Sequence, residues 1–126
     1  MKIYESAENY LETILILSTR NAVVRSVDIA SELDFTRPSV SIAMKNLREK
    51  GLIEMDQNGH ITLTETGRAI AEAMYERHTV LSRWLMSLGV DEKQALEDAC
   101  RIEHVISAES FEAIKRHCME RCMKTK

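Results

Sequence analysis

The chain has 126 residues, 44% of them hydrophobic and 29% charged, which suits one compact unit or two very small ones of ordinary globular composition. Its net charge of -3 excludes a broadly basic surface, so any nucleic-acid-binding face has to be local. Aromatic residues make up only 5%, so the core must be aliphatic and methionine-rich.

Four glycines and one proline imply long helices with few turns. Ser6 is expected to cap a first helix that runs to about Arg20, with Tyr10, Leu11, Ile14, Leu15 and Leu17 as its apolar stripe. Asn9 and Glu12 lie three apart on a neighbouring face. Ser26 opens a short helix to about Leu33, and Asp34-Phe35 make a tight turn. Thr36 then caps a helix with Pro38 in its first turn, where a missing N–H costs little. Val40, Ala43, Met44 and Leu47 face inward, and Gly51 ends the helix.

A period-2 stretch follows. Leu52–Met55 and Ile61–Leu63 flank Gln57-Asn58-Gly59-His60, and Asn-Gly between two such runs is a strong hairpin signal. Thr64 starts a long helix carrying Ile70, Met74, Leu81, Trp84, Leu85 and Leu88, which ends at Gly89. Asp91 and Gln94 form a capping box for a helix that holds Cys100, Glu103 and His104. Ser107 breaks that helix and caps a last one, amphipathic through Phe111 and Ile114. The predicted fold is mainly α. A winged helix-turn-helix with a small β-hairpin wing occupies residues 1–64, and a helical metal-binding and dimerisation domain occupies residues 65–126.

The N-terminus has no apolar run behind a basic head, and the longest aliphatic run, Ile14–Leu17, is far too short for a bilayer. A cytoplasmic location without a membrane partner is expected. The three cysteines then read as reduced thiols or ligands, not as a disulfide framework.

The helix from Thr36 to Lys50 is the candidate recognition helix, with a local charge balance of +3 in a chain of -3. Arg37 is suited to reading guanine, and Pro38 and Ile42 to touching thymine methyl groups. Ser39, Ser41, Lys45 and Arg48 are suited to phosphates. Ser26 and Thr36, at the starts of the two helices, complete the candidate DNA-facing set. The wing carries His60 but no Arg or Lys at its tip, so little affinity is expected from it. The alternative is a solvated charged face on an ordinary surface helix.

Cys100, Glu103 and His104 are spaced i, i+3, i+4, which puts three possible ligands on one helical face. A thiolate, a carboxylate and an imidazole together suit a divalent transition metal. The alternative is a half-buried Cys beside a solvated Glu-His pair. Asn9, Glu12 and His78 are further possible ligands.

The segments Ser6-Ala-Glu-Asn-Tyr-Leu-Glu-Thr-Ile, Asp28-Ile-Ala, Pro38-Ser-Val-Ser, Leu47-Arg-Glu-Lys-Gly-Leu-Ile, Leu63-Thr-Glu-Thr-Gly, Glu76-Arg-His and Ala99-Cys-Arg-Ile-Glu-His-Val-Ile-Ser occur in order. As a set, over about residues 4–115, they resemble the diphtheria toxin repressor and manganese transport regulator family of metal-dependent transcriptional regulators. The resemblance implies a metal-loaded homodimer that binds a palindromic double-stranded operator and represses metal-uptake genes. It also implies that Cys100, Glu103 and His104 are the core ligands and that Glu12 and His78 belong to a second subsite. Asn9 stands where manganese-type members have Asp and iron-type members have Met, and its neutral carbonyl is a weaker ligand. Cys100 is the iron-type residue, and a soft thiolate places Fe(II) ahead of Mn(II), with other divalent transition metals able to bind in vitro. Leu96 and Ser82 replace the ancillary-site His and Glu of iron-type members.

The chain stops at Lys126, so the SH3-like C-terminal domain of many iron-type members is expected to be missing. In the tail, Cys118 and Cys122 lie four apart beside His117. They form an accessory metal or redox site, bridge two chains, or are two reduced thiols with no role. The dimer is expected through the helices after residue 64, where Leu81, Trp84, Leu85 and Leu88 are either a partner face or core. The runner-up reading is a winged-helix regulator that senses thiol oxidation or an organic ligand. No enzyme is expected, because nothing beyond Glu103 resembles catalytic machinery.

Overall fold

A computed structural model describes the backbone of residues 5–124 and the side chains of residues 6–120. The chain forms two compact units, Met1–Ala73 and Met74–Lys126. The first contains α1 (Glu5–Arg20), α2 (Ser26–Leu33), α3 (Arg37–Glu49), β1 (Ile53–Met55), β2 (Ile61–Leu63) and the start of α4 (Glu65–Ser87). The second contains the rest of α4, α5 (Glu92–Ile102) and α6 (Ala108–Lys124). Helix, turn, helix and hairpin therefore follow in the expected order. Among the described residues, no helix is long and apolar enough to cross a membrane.

The first unit is built on the apolar stripe of α1. Leu11 and Ile14 pack with Ile29 of α2, Val40 and Met44 of α3, and Leu52 and Ile53 at the start of the hairpin; all are fully buried. Burial of each such side chain stabilises by roughly 1.5–3 kcal/mol. Ser6 lies inside α1 and is not its cap, because the helix already includes Glu5. The Arg25 N–H donates to the Asp28 carboxylate at 2.9 Å and secures the first turn of α2. Asp34 closes that helix in a left-handed conformation (φ 56°). The Thr36 hydroxyl accepts from the Ser39 N–H at 3.3 Å and caps α3.

The hairpin is antiparallel, with Ile53 opposite Leu63 and Met55 opposite Ile61. Gly59 adopts φ 78° in its loop, and the Asp56 carboxylate accepts from the backbone N–H groups of Asn58 (2.8 Å) and His60 (2.9 Å). The Ile61 N–H donates to Val24 O at 2.8 Å, which ties β2 to the α1–α2 loop. The Thr64 hydroxyl accepts from the Gly67 N–H at 3.1 Å and starts α4. Gly67 itself is pressed on Leu52: a Cβ there would overlap the Leu52 carbonyl oxygen.

In the second unit Leu81, Ala99 and Phe111 form a buried cluster, with Val80, Trp84, Ile102, Ile106 and Ile114 packed around it. Leu81 is therefore core and presents no partner face; Trp84 and Leu85 are half-buried and Leu88 is exposed. Asp91 caps α5 by accepting from the Gln94 N–H at 3.4 Å. The return half of the expected box gives way to a bond from Gln94 Nε2 to Asp98 Oδ1 at 3.0 Å. The Ser107 hydroxyl accepts from the Ser110 N–H at 3.1 Å at the start of α6.

Gly67→Ala improves helix propensity by about 1 kcal/mol, yet the clash with Leu52 should reverse the sign and destabilise by about 3 kcal/mol in urea melts. An unchanged or raised midpoint would contradict the close approach. A second expectation concerns Asp56. Its carboxyl is held below the usual carboxylate range, first by the His60 N–H and then, against some desolvation, by the Asn58 N–H and the charges of His60 and Arg25. A lowered folded value means that the stability it lends is complete above the unfolded value and is lost as pH falls through the lower one. Amide protection at Asn58 and His60 should therefore decline on acidification below about pH 4, a decline that Asp56→Ala abolishes. A wild-type wing indifferent to acid would show the Asp56 bonds to be idle.

Candidate metal centre and nucleic-acid interface

Helix α3 buries Val40, Met44 and Leu47 and turns its other side to solvent. Thr36, Arg37, Pro38, Ser39, Ser41, Ile42, Lys45 and Arg48 are all exposed. Ile42 is 64% exposed, which is unusual for isoleucine on an amphipathic helix. The Thr36 hydroxyl also donates to Ser39 Oγ at 2.8 Å and so orders the start of this face. Ser26 is half-buried at the first position of α2.

The wing has a cation that chain order concealed. An Arg25 guanidinium nitrogen lies 2.9 Å from His60 Nε2. The other ring nitrogen, His60 Nδ1, lies 3.4 Å from Asp56 Oδ2. A basic residue on the segment before α2 would be noticed only by asking what β2 pairs with beyond β1.

The second cluster lies at the end of α5. One ligand atom each of Cys100, Glu103 and His104 fall within 4.8 Å of one another. They do not share one regular helix, as the spacing suggested. α5 ends at Ile102, Glu103 is its C-cap (φ -57°, ψ -26°), and His104 lies in the turn that follows. The Glu103 N–H still donates to Ala99 O at 3.0 Å, so the backbone stays helical long enough to keep the three side chains together. The burial of Cys100 and Glu103 is the reverse of a half-buried Cys beside a solvated Glu-His pair. Cys100 is exposed, the Glu103 side chain is 0% exposed and the His104 side chain only 2%.

Glu103 Oε2 lies 3.1 Å from His78 Nδ1 on α4. Glu103 Oε1 has no hydrogen-bond partner among the described residues, and His104 Nε2, 3.4 Å away, is not placed to donate to it. A buried carboxylate oxygen without a donor is costly, and a cation bound there would remove the cost. The thiolate of Cys100, the carboxylate of Glu103 and the imidazole of His104 make a donor set that fits a divalent transition metal.

The other predicted residues are placed as follows. Glu12 is buried and Asn9 half-buried, both on α1 of the first unit. The Asn9 backbone carbonyl accepts from the Thr13 hydroxyl at 2.8 Å. Ser82 is buried and donates to Thr79 O at 3.1 Å, while Leu96 is 38% exposed. Cys118 is half-buried in an apolar groove with Val80, Arg83, Lys115 and Met119. Cys122 lies outside the described side chains.

Arg77 falls in the Glu76-Arg-His segment, but nothing in the sequence marks it for a role. Its guanidinium donates to Glu103 O at 3.0 Å and Ile106 O at 2.9 Å, and it lies 5.4 Å from the centre of the Phe111 ring.

Residues 2–61 match the family model for the N-terminal DNA binding domain of iron dependent repressors, and residues 64–121 match the model for their metal binding and dimerisation domain. The chain is 34% identical over 111 residues to the transcriptional regulator MntR of Escherichia coli O157:H7, with 88% of this chain and 72% of that protein covered. It is 33% identical over 107 residues to the iron-dependent repressor IdeR of Mycobacterium tuberculosis, with 84% of this chain and 46% of that protein covered. The solved structure of the manganese regulator SloR superposes with a TM-score of 0.79 at 27% identity, with 93% of this chain and 54% of that chain covered. The chain thus spans about half the length of IdeR and SloR.

The exposure of Ile42 offers a test independent of any relative. Ile42→Ala should change the unfolding free energy by less than about 0.5 kcal/mol, as at any solvent position. A loss of about 2 kcal/mol, read from denaturant melts, would return Ile42 to the core.

Proposed function

The chain belongs to the iron-dependent repressor family of metal-dependent transcriptional regulators, and on that premise we propose that it is a metal-activated homodimeric repressor of metal-uptake genes. The observation that carries the metal reading is the wholly buried Glu103 carboxylate beside Cys100 and His104, with Oε1 lacking a donor among the described residues. Cys100, Glu103 and His104 would hold the ion, with His78 assigned to a second subsite beside Glu103. Glu12 is assigned as a further ligand, and Asn9 as a weaker one, by their place in the family's motif pattern. When bound, the metal supplies the positive charge that the carboxylate and thiolate lack, and it raises the affinity for operator DNA. Because such coupling is reciprocal, DNA tightens metal by the same factor.

The thiolate of Cys100 favours Fe(II) over Mn(II) on grounds of ligand softness. The relatives divide in the same way, one being named for iron and another for manganese. Residues 1–64 serve as the DNA-binding domain and 65–126 as the sensing and dimerisation domain, a division supported by the two family-model ranges. The partner is a palindromic double-stranded operator. Arg37, Pro38 and Ile42 face base edges, and Ser26, Thr36, Ser39, Ser41, Lys45 and Arg48 face the backbone. The relatives are regulators, and a cytoplasmic, non-enzymatic role is proposed for this chain.

A second reading, sensing by thiol oxidation, is favoured by one observation: Cys100 is exposed. Anaerobic titration of operator binding with Fe(II), Mn(II) and peroxide, followed by footprinting, separates the two. Fe(II) should produce a palindromic footprint. Cys100→Ala and His104→Ala should fold and dimerise but lose metal-stimulated operator binding. A full metal response in both variants would overturn the site, and a response to peroxide alone would favour the second reading.

A further inference from the structure

We infer that Arg77 is a positioning residue for the metal centre, acting by fixing the peptide between Glu103 and His104. The inference rests on the metal reading above and extends it to a residue that cannot be a ligand, since a guanidinium has no lone pair to give.

The turn Glu103–Ile106 joins α5 to α6, and its carbonyls are among those that a helix end leaves without partners. Arg77 donates to two of them, Glu103 O at 3.0 Å and Ile106 O at 2.9 Å. The peptide unit whose oxygen is Glu103 O also contains the His104 N–H, and it is planar. Holding that oxygen therefore restrains ψ of Glu103 and φ of His104 together. Those two torsions aim the carboxylate and the imidazole.

The guanidinium is held from its other side. The Phe111 ring of α6 lies 5.4 Å away, within range of a cation–π contact. A positive charge beside the last carbonyls of α5 also complements the helix dipole. Arg77 immediately precedes His78, whose Nδ1 lies 3.1 Å from Glu103 Oε2. Two consecutive residues of α4 thus serve one carboxylate, His78 at its side chain and Arg77 at its backbone. A lysine in place of Arg77 would be a poor substitute, because one ammonium lacks the planar fork that reaches two carbonyls at once.

The test is an anaerobic Co(II) titration of the full chain, comparing wild type, Arg77→Ala and Arg77→Lys. It reads the dissociation constant, the thiolate–Co(II) charge-transfer band and the visible bands. Amide exchange at Val105 and Ile106 and thermal melts are recorded on the metal-free proteins. Arg77→Ala should bind Co(II) about 10–100-fold more weakly, with altered visible bands and faster exchange at those two amides, while still melting cooperatively. Arg77→Lys should recover part of the affinity. Wild-type affinity and spectrum in a folded Arg77→Ala would overturn the inference. If Arg77→Ala does not fold, Arg77→Lys decides: weakened binding with an altered spectrum supports it, and wild-type behaviour overturns it. A wild-type chain that binds no Co(II) overturns the metal reading itself and this inference with it, a result distinct from variants that bind as wild type.

Discussion

A carboxylate without solvent, placed at the carbonyl end of a helix, is the constraint around which the second unit is arranged. Glu103 is fully buried and caps α5 at the terminus where the helix dipole is already negative. Its surroundings answer with imidazoles from His78 and His104 and with a guanidinium on the adjacent backbone. Even so, one oxygen stays without a donor among the described residues. Packing alone does not account for such a group, whereas the proposed cation-binding centre would.

The first unit meets the opposite problem. Here the working surface must stay wet, and the core must keep it in place. Helix α3 commits Val40, Met44 and Leu47 to the interior and is held at its start by the Thr36 cap. That leaves a contiguous outer face of hydroxyls, cations and one exposed isoleucine. The hairpin behind it depends on close backbone contact, since Gly67 leaves no room for a side chain against Leu52. The wing is fastened at three points: β1, the Val24 carbonyl and the Arg25–His60 contact.

Local chemistry made much of this legible. The Thr36 cap with Pro38, the Asn58-Gly59 hairpin, the Thr64 start of α4 and the Asp91 cap of α5 are short-range signals, and each is present. The i, i+3, i+4 spacing correctly grouped Cys100, Glu103 and His104. Periodicity says which residues share a face but not what packs on it, so it left open a half-buried Cys beside a solvated Glu-His pair, and Leu81 as either partner surface or core. The end of α5 at Ile102 carries no Gly or Pro, so the spacing appeared to continue through His104. Arg25 and Arg77 act across separations of 35 and 26 residues, beyond any motif window. Both are arginines beside better-known residue types, and only tertiary contact distinguishes them from solvated charge.

The contrast between Cys100 and the rest of its cluster bears on kinetics more than on affinity. An ion entering the proposed centre would meet the exposed Cys100 thiolate before the enclosed Glu103 oxygen and His104 nitrogen, and would part from the thiolate last. Residence time would then depend on how readily one solvent-facing sulfur lets go, while the equilibrium constant would reflect the whole set. With its last bond within reach of water, such a centre would let a tightly held ion follow a falling supply.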